Sequence, residues 1–141
     1  MTQTEPSFDL ETIRTISERA AFNRWAGFDV ARAADGESEL RFLWKEEFGQ
    51  YAGFLHAGLI AAALDTACGF AAASTCGHVT ASHFSMSCLL PAKGDTFTAV
   101  GRIIRAGRRQ VFTKADLFAQ TKGSEPAMVA SGEAILLKIP A

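Results

Sequence analysis

The chain has 141 residues, 48% of them hydrophobic and 21% charged, with a formal net charge of −1. The length fits one domain, residues 1–141, because two independent cores would each be too small to stabilise themselves. The apolar content excludes intrinsic disorder, and the balanced charge excludes a nucleic-acid binder held by a basic field.

The first residues, Met1 to Pro6, show no basic region followed by an apolar run, so no secretory signal is expected. Residues 7–24 predict a helix. Ser7 is a candidate cap, Asp9 and Glu11 suit the positive first turn, and Leu10, Ile13, Ile16 and Ala20 recur at helical spacing. Asn23 or Gly27 would end it. Two strands are expected at 28–34 and 37–44, joined at Asp35-Gly36, a strong two-residue hairpin signal. In the second, Leu40, Phe42 and Trp44 alternate with Glu39, Arg41 and Leu43, which buries one face.

A loop at 45–55 with Gly49 and Gly53 leads into a helix at about 56–76, with Gly77 placed to end it. Residues 57–76 are long enough to span a bilayer. Asp65 and Thr66 lie in the middle, however, and a mid-span carboxylate costs about 2.5–3.5 kcal/mol on insertion scales. The run is therefore read as the buried helix of a soluble protein, with no membrane partner. Four strands follow at 79–90, 96–105, 110–120 and 127–138, separated by turns at 91–94, 106–108 and 122–126. Consecutive strands imply an antiparallel sheet and an α+β architecture. A helix apolar nearly all round has to be covered on most sides, so a curved sheet wrapping it, and a dimer, are expected.

Most chemical motifs are missing: no G-x-G-x-x-G, no P-loop and no G-x-S-x-G. Cys68, Cys76 and Cys88 lack zinc spacing and are expected to be buried free thiols in a reducing, cytoplasmic compartment. No metal or cofactor is expected. Asp65 is the outlier, the one charged residue between Glu47 and Lys93. A buried carboxylate needs hydrogen-bond donors, here Thr66, Thr75 or backbone, or lines a dimer seam, or else serves as a general base or nucleophile. The helix start at His56-Ala57-Gly58 is a second candidate, because free N–H groups there favour negative charge. His56 is itself a candidate acid or cap. Ala57 and Asp65 are eight residues apart, about 12 Å along a helix. One carbonyl cannot meet both within one chain, so a shared site across two antiparallel helices is expected.

The segment from Gln50 through His56-Ala57-Gly58 to Asp65 resembles the H-G-G-x(6)-D signature of PaaI-like hotdog-fold acyl-CoA thioesterases. Trp25-Ala26-Gly27-Phe28 and the run Phe84 to Pro91-Ala92 resemble further parts of that family, over roughly residues 20–138. The resemblance implies a hotdog fold, with a six-stranded antiparallel sheet around one long helix and an N-terminal helix. It implies hydrolysis of an acyl- or aryl-CoA by a homodimer or a dimer of dimers. Asp65 would be the base or nucleophile, the Ala57 N–H (where the family has Gly) the oxyanion donor, and Gln50 the residue orienting thioester or water. Ala81 falls where some members carry a water-assisting Ser or Thr, with Thr80 and Ser82 beside it. Gly69 stands where some relatives place Thr. Coenzyme A phosphates want Arg or Lys; Arg105, Arg108 and Arg109 on one hairpin and Lys93 on another turn are the candidates, with Gly58 near the substrate. A non-catalytic acyl-CoA-binding hotdog protein is the alternative. A hotdog hydratase is disfavoured, because its D-x-N-x-x-H signature is missing.

Overall fold

A computed structural model describes residues 7–140. The N-terminal helical stretch is two helices, α1 (Leu10–Arg19) and α2 (Ala21–Ala26), not one. Asp9, rather than Ser7, caps α1: its carboxylate accepts the Thr12 N–H at 2.8 Å, which holds its pKa below the usual value. Ala20 is extended (ψ 114°), and its N–H returns to the Ser17 carbonyl at 3.1 Å. The break turns α2 so that Phe22 meets Phe28 and Trp25 meets Phe48, edge to face. Gly27 ends α2 in the left-handed region (φ 70°).

The strands β1 (Asp29–Ala34) and β2 (Glu37–Leu43) form the expected hairpin, with Asp35 and Gly36 both at positive φ. A short 3₁₀ turn (Glu46–Phe48) precedes α3 (Ala57–Cys76), and β3 (Val79–Cys88), β4 (Thr96–Ala106), β5 (Gln110–Gln120) and β6 (Ala127–Lys138) complete one antiparallel sheet in the order β1-β2-β4-β5-β6-β3.

The sheet curves around α3, which touches every strand. Leu40, Phe97, Leu117, Val111 and Leu136 face Ala63, Leu64, Ala67, Cys68 and Ala71, all buried. Close approach at the centre is possible because β4 carries Gly101: a Cβ there would lie 2.4 Å from the Ala67 carbonyl oxygen. Ser38 donates to that carbonyl at 2.6 Å, and the Gly36 N–H is accepted by Ser74 at 2.9 Å, so polar groups facing the helix are satisfied.

Among the described residues α3 is the one helix long and apolar enough to cross a membrane, but most of it is packed inside the protein. A stripe on its outer side, including Asp65, Thr66, Gly69 and Phe70, stays half-buried. β3 is a sheet edge and is mostly exposed. Cys68 and Cys76 are buried free thiols as expected; Cys88, at the end of that edge strand, is exposed, because nothing among the described residues covers it.

Candidate active site

The turn before α3 is fixed by the backbone. The Gln50 N–H donates to the Phe54 carbonyl at 2.8 Å, the His56 N–H to Phe48 at 2.8 Å, and the Leu55 N–H to Ala92 at 3.1 Å. Gly53 supplies the positive φ the turn needs (84°). His56 then caps the helix: its Nδ1 accepts the Gly58 N–H at 2.8 Å, and its carbonyl accepts from Leu59 and Ile60. Nδ1 is therefore an acceptor, and the neutral ring carries its proton on Nε2. A Cβ on residue 58 would stand 3.0 Å from Nδ1, so Gly58 gives the imidazole room to fold back.

Of the first helical amides, Gly58 is occupied while Ala57 has no partner among the described residues. The free amide adds to the positive end of a 20-residue helix and suits a negative oxygen. Ala57 and Gln50 line one surface cleft, with Phe54, Leu55, Ile60 and Pro91. The Gln50 side-chain oxygen accepts the Ala52 N–H, leaving its NH₂ group to donate.

Asp65 opens onto a different space. It lines a cavity of about 310 Å³ between α1, α3 and the start of β3, with Phe8, Ile13, Ile16, Gly69 and Phe70. No hydrogen bond or ion pair holds its carboxylate among the described residues, so Thr66 and Thr75 do not supply the structural role considered for them. Burial pushes its pKa above the usual carboxylate value. Burial, with Asp65 adding to it, also raises the nearby Cys68 thiol to about 11, which leaves that sulfur protonated and inert.

Several sequence-derived candidates do not come together. Ser82 is the extra residue of a β-bulge between Ala81 and His83, and its hydroxyl donates to the Ile135 carbonyl at 3.1 Å. Thr80 and Ala81 line the Asp65 cavity instead. Arg105, Arg108 and Arg109 are exposed at the β4–β5 hairpin, with no side-chain partner among the described residues. Lys93 lies at the opposite end of the sheet, beside the turn that receives the Leu55 amide. The length of β5 separates them, roughly 33 Å at 3.3 Å per residue. One chain therefore does not bring Lys93 and the arginines to one phosphate group. No group of three or more His, Cys, Asp or Glu side chains is arranged for a metal among the described residues.

The arrangement is a helix N-terminus with a free amide and, two turns on, a half-buried carboxylate on the same helix, framed by one wrapping sheet. Sequence comparison gives this class its family. The family model of the thioesterase superfamily matches residues 52–125, and the chain belongs to that superfamily. It is 33% identical to a candidate esterase of Halobacterium salinarum, over 75% of this chain and 76% of that protein. A thioesterase family protein of Silicibacter pomeroyi is 28% identical and superposes with a TM-score of 0.88, covering 92% of this chain and 96% of that one. The E. coli PaaI protein, from the phenylacetic acid degradation operon, shares the fold at 20% identity, with a TM-score of 0.82 over 93% of each chain. The fold is thus the hotdog fold that the PaaI-like resemblance implied.

Proposed function

We propose that the protein is an acyl-CoA thioesterase whose sites are each shared by two copies of the chain. The observation that carries this reading is the pair on α3: a free Ala57 amide and an unpartnered Asp65, about 12 Å apart along one helix. A second α3 lying antiparallel against the half-exposed stripe brings the partner's Ala57 to Asp65. The free edge of β3, ten residues without a Lys or Pro to guard it, supports such pairing.

In this reading the thioester oxygen accepts the N–H of the partner's Ala57. Asp65, held partly out of water, takes a proton from water as its oxygen attacks the carbonyl carbon, and the tetrahedral oxyanion rests on that amide. Collapse breaks the C–S bond; the acid leaves, and the CoA thiolate recovers a proton. Direct attack by Asp65 gives a mixed anhydride that water then opens, with the same net reaction. His56 acts as a positioning residue, because its ring organises the first turn. Gln50 offers its amide to thioester or water. Arg105, Arg108 and Arg109 supply charge for the CoA phosphates, and the three unpaired cysteines fit a cytoplasmic enzyme.

A panel of acyl-CoA esters, read by thiol release, tests the reading on wild type and Asp65→Asn. The expected result is hydrolysis by wild type, with a loss of 10²–10⁴-fold in the variant, on the order of one general base. A folded Asn variant working at the wild-type rate removes Asp65 from the chemistry. Tight acyl-CoA binding without hydrolysis by wild type turns the reading to a non-catalytic binding protein.

A further inference from the structure

Gly69 stands one turn after Asp65, in the interior of α3, where glycine is the least favourable residue short of proline. A helix-facing glycine in this protein can have a packing reason: at Gly101 a Cβ would strike the Ala67 carbonyl. Gly69 shows none within one chain. Its backbone is helical, and a Cβ there would meet nothing within 4 Å among the described residues. The space in front of it is the cavity that Asp65 also lines.

That cavity is walled by Phe8, Ile13 and Ile16 on one side and by Phe70 on the other. The N-terminal segment is pinned over it, with the Phe8 N–H on the Ala73 carbonyl at 3.1 Å and the Phe8 ring edge-on to His78 at 4.7 Å. Among the described residues no Lys or Arg lines it, and its far end, at Gly77, is the negative end of α3. Phosphates are unwelcome there; an apolar group beside the reacting carbon is not. Its volume, about 310 Å³, is roughly twice the ~150 Å³ in which an engineered apolar cavity binds benzene.

We propose that this cavity receives the acyl group, and that Gly69 sets its capacity at a single aromatic ring or a chain of about six to ten carbons. The inference rests on the thioesterase reading for its substrate. The missing side chain at residue 69 leaves the first atoms of the acyl chain room to turn from Asp65 into the cavity.

The test compares wild type, Gly69→Ala and Gly69→Leu on straight-chain acyl-CoA esters from acetyl to hexadecanoyl, and on benzoyl-CoA. Wild type should favour the middle of the series and the aromatic ester. In Gly69→Leu the ratio of kcat/KM for octanoyl over acetyl should fall at least about tenfold, since each misplaced methylene in an apolar pocket is felt at that scale. Gly69→Ala should lie between, with a higher melting temperature than wild type, which checks the fold. An unchanged ratio, an equal loss on every ester, or a wild-type preference for the longest chains overturns the proposal. So does dissociation of the oligomer in either variant, which would give the space to a partner helix. Calorimetry with S-octyl-CoA, a thioether that cannot be hydrolysed, separates the two readings. If wild type binds it, Gly69→Leu binds it at least about tenfold more weakly and no ester is cleaved, hydrolysis is wrong and the pocket stands. If Gly69→Leu binds it as wild type does, the pocket is wrong whatever the hydrolysis.

Discussion

Asp65 shows how far a single residue can be read. Its isolation between Glu47 and Lys93 marks it in the sequence, but only the packed chain shows that no donor among the described residues compensates it. An uncompensated, partly buried carboxylate lowers stability, and the direction with pH follows from its raised pKa. The folded chain holds this proton more tightly than the unfolded chain does. Stability conferred by the neutral form is therefore fully present at low pH and is lost as pH rises from the ordinary carboxylate value through the raised one. Asp65→Asn should melt above wild type at pH 7, with the gap closing at acid pH where both side chains are neutral. Melting curves of both proteins across that range check it; a variant less stable than wild type at pH 7 would show that the carboxylate has a partner in solution. The same shift moves the acid limb of wild-type kcat/KM above the ordinary carboxylate range, because the base works only when ionised.

At the scale of elements, the packing of α3 on β4 decides the geometry of the sheet. Gly101 and Ala67 approach so closely that one methyl group has no space, and Ser38 bonds to the same carbonyl. Gly101→Ala should cost about 1–3 kcal/mol, the usual penalty for overfilling a close-packed interior. Urea unfolding measures it, and a variant as stable as wild type would mean that α3 can lift from the sheet without loss. The α1–α2 break belongs to this scale as well. Residues Glu18 to Ala21 are sound helix formers, so nothing local ends a helix there. The chain bends at Ala20 because α2 gains aromatic contacts on Phe28 and Phe48, and Asn23 reaches the buried Ser17 hydroxyl at 3.1 Å.

For the whole molecule, the proposed shared site makes a prediction that neither half makes alone. Asp65→Asn and Ala57→Pro, the latter lacking the amide hydrogen, should each be inactive. Mixed and allowed to exchange, random pairing makes half the dimers mixed, each with one intact site, so activity should return to about a quarter of wild type. A chain carrying both substitutions, mixed with the Asp65→Asn variant, should restore nothing, since no Asp65 remains. Failure to recover despite proven exchange, or a fully active monomer, removes the shared site. Proline is tolerated at the first helical position, and circular dichroism of the Ala57→Pro protein confirms its fold before mixing.

Much of the architecture is written in short-range patterns. Asp35-Gly36 fixes a hairpin through backbone conformations few other pairs accept, the alternation in β2 assigns its buried face, and the apolar run of α3 with Asp65 at its middle reads as a wrapped helix. The motif from Gln50 to Asp65 likewise points to the candidate site, because its parts lie within sixteen residues of one turn and helix. Tertiary structure decided what depends on distant segments meeting: the bulge that turns Ser82 toward β6, and the separation of Lys93 from the arginines by the length of a strand. It also decided that the space beside Gly69 is open among the described residues of one chain. A missing side chain leaves the same trace in a sequence whether a neighbour or a void stands opposite, and only the assembled walls of α1, α3 and β3 distinguish them.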